Sequence, residues 1–278
     1  VVLNTVRTAQ VVFQLLRQEN VPIGDMMLMH SRFIFGDRRL LEDRIMEDPQ
    51  PRIVVSTQII EVSLDIDYDI MFTEACLLDG LVQRTGRINR RGYLGNNGEG
   101  LVRIFLPDYW DTDRERASRP YDQVLLEHAV DIIRQESPNI TTEWDYVRLT
   151  NLFYNNNWQS DPAAERRFAE VWNTLRYIYR ANLGEERIRE LLQTRSGYIT
   201  VNAFSRTHWP DIQALDREVE NAVSENARIG FLRQIRMLSL SVPLRTGHRA
   251  GFTTEPGEGD REYLVVEAQY DPVLGLQI

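Results

Sequence analysis

Three arginines at three-residue intervals, Arg84, Arg87 and Arg90, lie inside "VQRTGRINRRG" (Val82–Gly92), which also holds Arg91, Gln83, Gly86 and Gly92. If this segment is helical, the spacing puts the three guanidiniums along one face. A guanidinium is a planar fork of N–H donors that matches two phosphate or carboxylate oxygens at once, so such a row suits a polyanion. Leu77, Leu78, Leu81 and Val82 precede it and would hold the helix against an apolar core. Gly86 would let a ligand or another backbone approach closely. A solvated face making surface ion pairs is the plain alternative. It leaves the interrupting glutamine and glycine unexplained.

A second constellation is "VVSTQIIEVSLDID" (Val54–Asp67), in which Thr57 follows an apolar run and Asp65 and Asp67 come eight and ten residues later. A hydroxyl at a strand end can bond a nucleic-acid phosphate, and a carboxylate can bond a ribose hydroxyl. Turn and cap chemistry is the other use of either residue. Two aspartates two apart also invite a divalent cation, but apolar residues separate them and further ligands are missing nearby. The four histidines (His30, His128, His208, His248) are scattered and make no His–Asp step, and Glu127–His128 reads as a solvated helical pair. No metal site is expected.

The single cysteine, Cys76 in "MFTEACLLDG", has no evident histidine partner and reads as a structural thiol. One cysteine excludes a disulfide framework and points to an intracellular compartment. The chain has 278 residues and a formal net charge of −9. That length corresponds to about two domains. No apolar run approaches the ~18 residues of a membrane span, and no signal peptide is read. There is no lysine, so every basic residue is arginine. Base composition of the genome is the simplest source, and the consequence is firm: a G-x-x-x-x-G-K-[ST] phosphate loop is excluded. The chain opens at Val1 in a strand-like run and is expected to be a piece of something longer. An acidic total is unusual for a dedicated DNA-binding module. An acidic body is nonetheless compatible with phosphate contacts confined to a local arginine patch.

The elements that must carry these residues are legible as apolar runs. "VVLNTV", "MMLMH", "RIVVST", "YDIMFTE" and "GLVRIFL" read as strands, with the helices "RTAQVVFQLLRQ" and "FGDRRLLEDRIME" among them. Strands apolar on both faces, alternating with helices, predict a parallel sheet covered on both sides. Ligands in such sheets meet the loops at the strands' carboxyl ends, where "NT", "HSR", "STQ" and the arginine cluster fall. From Tyr121 to Leu192 the pattern is helical ("YDQVLLEHAVDIIRQ", "EWDYVRLTNLFY", "AAERRFAEVWNTLRYIYR"). From Tyr198 strand-like pieces return ("YITVNAF", "MLSLSVPL", "EYLVVEA"), and "RTGHRAGFTTEPGEGDRE" is expected to be a mobile surface loop. The expected division is 1–110, 111–195 and 196–278. The five tryptophans (Trp110, Trp144, Trp158, Trp172, Trp209) could stack bases, with core the first expectation for Trp144 and Trp172.

Taken together, "VVSTQIIEVSLDID" and "LLDGLVQRTGRINRRG" resemble motifs V and VI of superfamily 2 helicases, which lie in the second of two RecA-like domains. The Q-R-x-G-R-x-x-R core is complete in Gln83, Arg84, Gly86, Arg87 and Arg90. "EVSLDID" and "QRTGRINRRG" look more particularly like the CRISPR-associated helicase-nuclease of type I interference systems. "VVLNTV" and "LMHSRF" are similar to that family's motif IV region, and "IFLPDYW" and "YDPVLGL" to its path into a C-terminal domain. The resemblance is carried chiefly by residues 1–106.

It implies an α/β fold: a RecA-like parallel sheet with helices on both faces, then a mainly helical segment and a small α+β C-terminal domain. It implies that Arg87 and Arg90 are arginine fingers reaching the γ-phosphate of ATP. Gln83, Arg84 and Gly86 would sit beside them and Asp65 at the ribose. Thr57 and Gln58, with His30, Ser31 and Arg32, would touch strand phosphates, although a strand-end cap is the plain use of His30. The implied cofactor is ATP with Mg2+, shared with a missing first motor domain. The implied partners are single-stranded DNA, the preceding RecA-like and HD nuclease domains, and a CRISPR surveillance complex, with no membrane. Neither Walker A nor a motif II tetrad is present, so this chain alone is expected to be inactive. Another superfamily 2 DNA or RNA motor, or a non-catalytic arginine-rich binding module, are the alternatives.

Overall fold

The computed structural model describes residues 1–61, 64–92, 101–136, 140, 142–157, 200–243, 247 and 249–278. Contacts divide the chain into two units: Val1–Glu127 with Tyr198–Ile278, and His128–Gly197.

In the first unit, β1 (Met26–Met29) pairs in parallel with β2 (Ile53–Ser56), and β3 (Met71–Glu74) with β4 (Val102–Phe105). The opening residues join the two pairs, since Val2 makes parallel bridges to both Ser56 and Thr73. The Leu3 amide donates to Ser56 O at 2.8 Å and the Glu74 amide to Val2 O at 2.9 Å. Alternation along each run decides which face a side chain joins. Leu3, Met26, Leu28 and Val55 cluster with Ala9 and Phe13 of α1 (Val6–Gln18). Val2, Met27, Met29, Val54 and Met71 cluster with Ile45 of α2 (Phe35–Ile45). Both faces of β1 and β2 are therefore buried, which is why those runs show no polar alternation, whereas Phe72 of β3 and Phe105 of β4 are exposed. Helix α1 starts where it does because the Thr5 hydroxyl accepts the Thr8 amide at 3.1 Å.

Helix α3 (Leu78–Thr85) sets Leu78 and Leu81 into the core, each 1% exposed. It stops at Gly86, so the arginine row does not run along one helix face. Only Arg84 is helical, and Arg87 and Arg90 lie in the turns that follow. Asn89 takes a positive φ of 46° there, which ends any helical continuation. Beyond β4 come α4 (Arg114–Ser118) and the start of α5 (Gln123–Glu136).

The C-terminal part of the same unit is a four-stranded sheet in the order β6-β5-β8-β7. Its strands are β5 (Thr200–Ser205), β6 (Ser239–Pro243), β7 (Phe252–Pro256) and β8 (Glu262–Val266), with α7 (Trp209–Glu220) and α8 (Glu225–Met237) packed on it. Strand β7 overturns part of the loop expectation. Phe252 pairs opposite Val266 and Thr253 opposite Val265, and aromatic and β-branched residues suit such a ladder. Residues 244–246 and His248 lie outside the described residues.

The chain ends in a short hairpin, β9 (Tyr270–Asp271) and β10 (Gly275–Leu276), that packs on the first sheet. Gln10 Nε2 donates to Leu274 O at 2.7 Å, and the Leu276 amide to Arg32 O at 2.9 Å. Gly275 is required here. Its φ is +70°, and a Cβ would lie 2.9 Å from Arg32 O and 2.7 Å from the His30 ring.

In the second unit, α6 (Glu143–Asn157) buries Leu149 and Phe153, and Phe153 meets the His128 ring of α5 at 5.5 Å. Trp144 is 80% exposed, against the expectation of core. The α6 positions that turn inward are taken by Leu149 and Phe153 instead. Trp158, Trp172 and the expected helix from Ala163 to Arg180 lie outside the described residues. Trp110 and Trp209 are buried in the first unit.

Candidate functional site

Arg84 lies in the core, apart from the other arginines of the row. Its side chain is wholly buried. Nε donates to Glu61 Oε1 at 2.8 Å, Nη1 to Thr73 Oγ1 at 2.8 Å and Glu74 O at 3.1 Å, and Nη2 to Asn4 Oδ1 and Tyr121 OH, both at 3.1 Å. All of the fork is used, by residues from four separate stretches of chain. Burial opposes the charged form, but Cys76, Tyr121 and Glu61 around it hold the Arg84 pKa above its ordinary value. Burial also pushes the Tyr121 hydroxyl and the Cys76 thiol up to about 12 and raises the Glu74 carboxyl. Arg84 is thus a core ion-pair hub. Its donors are all taken within the fold.

Arg87 is half-buried and clamps the turn of 3-10 helix Gln58–Glu61 and the segment after it. Its Nη1 donates to Leu64 O, and its Nη2 to Glu61 O at 3.0 Å. Its Nε is buried without an acceptor among the described residues.

Arg90 is different. Its side chain is 49% exposed, and Nη1 reaches Asp65 Oδ1 at 2.6 Å, with Asp65 71% exposed. Leu64 and Ile66 point into the core beside β2, so the residues that alternate with them, Asp65 and Asp67, turn toward the arginine loop. Asp67 accepts the Arg90 amide at 2.7 Å and the Arg91 amide at 3.0 Å. Both carboxylates thereby have partners. Among the described residues no group of three or more His, Cys, Asp or Glu could hold a metal. Gln83 and Gly86 are exposed beside this loop.

The remaining expected residues separate. Thr57 is buried, with its amide on Met29 O at 3.2 Å, while Gln58 Nε2 donates to Asn4 O at 3.1 Å. His30 is 1% exposed, stacks on Phe33 and hydrogen-bonds Leu274 O at 3.1 Å. Its ring is enclosed by the terminal hairpin and is not offered to a strand, and burial lowers its pKa to about 4. Ser31 is exposed. Arg32 is partly buried, which lowers its pKa, and its Nη1 has no acceptor among the described residues.

The sequence pattern does not mark Asn4, Thr73 or Tyr121 as site residues, and for Asp67 it offers cation, ribose or turn chemistry. One signal pointed to Glu61: an arginine three positions after a buried leucine on a helix needs a buried acidic partner.

Residues 1–93 match the family described as CRISPR-associated nuclease/helicase Cas3, C-terminal. The chain is 39% identical over 115 residues, 38% of its length, to the CRISPR-associated endonuclease/helicase Cas3 of Escherichia coli (strain K12). It is 39% identical over 110 residues, 37% of its length, to the CRISPR-associated nuclease/helicase Cas3 of Methanothermobacter thermautotrophicus. These matches span 13% and 12% of those two proteins. In fold, the whole chain superposes on 38% of the crystal structure of T. fusca Cas3, with a TM-score of 0.71 at 20% identity. It also superposes on 40% of a chain in a CRISPR RNA-guided surveillance complex, pre-nicking, with a TM-score of 0.66 at 19% identity. Residues 1–93 are thus similar in sequence, and the whole chain in fold, to the C-terminal part of the CRISPR-associated nuclease/helicase Cas3, of which the chain spans well under half.

Proposed function

We propose that residues 1–110 are the second RecA-like domain of an ATP-driven single-stranded DNA translocase of CRISPR interference, followed by an extension (111–195) and a C-terminal domain (196–278). Its role is to supply half of a nucleotide site that a preceding motor domain completes. The observation that carries this is the meeting of Arg90 with Asp65 and Asp67. Two segments more than twenty residues apart are stitched together and leave an exposed guanidinium and an exposed carboxylate. These suit a triphosphate and a ribose hydroxyl respectively.

An exposed ion pair is worth only about 0–1 kcal/mol. Arg90 can therefore leave Asp65 for a phosphate at small cost. A guanidinium arriving at the γ-phosphate stabilises charge that builds in the transition state, a contribution of several powers of ten in comparable enzymes. Mg2+ bound with the nucleotide neutralises further phosphate charge. Arg87 acts as a second finger only by giving up a loop carbonyl, so Arg90 is the main one. Exposed Ser31, the partly buried Arg32 and the backbone around Gln58 are the groups assigned to strand phosphates. Crystal structures of T. fusca Cas3-ATP and Cas3-AMPPNP share this fold over the whole chain, which supports an adenine nucleotide.

The test is ATP hydrolysis by the intact protein with single-stranded DNA or single-stranded RNA added. Stimulation by DNA alone is expected. Stimulation by RNA alone would move the chain to another class of superfamily 2 motor. No hydrolysis with either would favour an arginine-rich binding module.

A further inference from the structure

Arg90 projects from a loop with no helix or strand to fix it, and its side chain is half exposed. An arginine carries about 2 kcal/mol of rotamer entropy, so its reach is reproducible only if its backbone is held. The hold is visible. The two oxygens of Asp67 accept the two consecutive amides of Arg90 (2.7 Å) and Arg91 (3.0 Å). Beside it, the Tyr68 amide donates to Arg87 O, and the Asn89 amide to Tyr68 O, both at 3.0 Å. Asp67 itself is fixed from both sides. Ile66 is 1% exposed in the core, and the Tyr68 hydroxyl donates to Pro51 O at 3.0 Å.

We propose that Asp67 is the positioning residue of the Arg90 finger. Its carboxylate chelates the loop amides and so aims the guanidinium, while touching no nucleotide. Only a side chain with two acceptor oxygens serves both amides. Asparagine keeps one of the two bonds, and alanine keeps neither. The inference rests on the assignment of Arg90 to ATP hydrolysis.

The experiment compares Asp67→Ala, Asp67→Asn, Arg90→Ala and the Asp67→Ala/Arg90→Ala pair in the intact protein. It reads single-turnover ATP hydrolysis, KM for ATP, single-stranded DNA affinity and Tm. Asp67→Ala is expected to lower the hydrolysis rate by roughly tenfold or more, the usual consequence of a misplaced catalytic group. KM, strand affinity and Tm should stay near wild type. Asp67→Asn should recover part of the rate, and Asp67→Ala should cost nothing further once Arg90 is alanine. An unchanged rate in Asp67→Ala overturns the proposal. So does a parallel fall of rate, strand affinity and Tm, or an additive loss in the pair. If Arg90→Ala itself hydrolyses normally, the finger assignment fails and takes the Asp67 role with it. If only Asp67→Ala is silent, the finger assignment stands alone.

Discussion

Residues of one type in one motif do different work in this chain. Arg84, Arg87 and Arg90 read alike as a row, yet Arg84 is spent inside the fold, Arg87 clamps a neighbouring turn and Arg90 faces outward. Burial decides among them. A fully buried guanidinium needs every donor satisfied, and Arg84 achieves this with Glu61, Thr73, Glu74, Asn4 and Tyr121. Removing one partner of a buried pair strands the other, at about 3–5 kcal/mol. Arg84→Ala is accordingly expected to destabilise the first unit by about that much, as measured by denaturant unfolding. Arg84→Lys should restore only part of the loss. A change below about 1 kcal/mol, the level of a surface pair, would contradict the hub assignment. The arginine cluster was plain in the sequence. The sorting of its members was not, because Asn4 and Tyr121 converge on Arg84 from 80 and 37 residues away.

The parallel strand pairs and the helices on either side follow from apolar runs, because strands buried on both faces leave no other pattern. The terminal hairpin was far less legible. "YDPVLGL" is too short to show a period, and its docking depends on His30, Arg32 and Gln10 more than 240 residues earlier. The same distance hid the use of His30, whose ring nitrogen bonds Leu274 O and lies in the core. Its pKa falls from 6.5 to about 4 on burial. The folded state therefore binds fewer protons than the unfolded chain between those values. Stability from this group is full above about pH 6.5 and is lost as pH falls toward 4. Going from pH 7 to pH 5 should cost about 2 kcal/mol through His30 alone. The check is unfolding free energy at both pH values for the wild type and for His30→Gln. A shallower pH dependence in the variant is predicted. Identical slopes would mean that His30 is not the group responsible.

At the scale of the whole molecule, an acidic chain presents a small arginine site, which in the proposed function is half of a nucleotide site. The fold superposes along its full length on the structure of T. fusca Cas3 but on only 38% of it, and the lysine-free sequence holds no Walker A loop. Among the described residues no helix is long and apolar enough to cross a membrane. The proposed arrangement asks the preceding motor domain for the phosphate loop and this chain for the arginine. The chain on its own should then show no ATP hydrolysis above buffer, and hydrolysis by the isolated chain would break the half-site account. The sharpest measurement is ATP hydrolysis stimulated by single-stranded DNA in the intact protein, with and without Arg90→Ala. The account predicts that turnover falls by about a hundredfold or more, the range for lost transition-state donors, while strand affinity stays within a factor of about three, less than 1 kcal/mol. Turnover that survives the substitution, or strand binding that is lost along with it, would contradict the account.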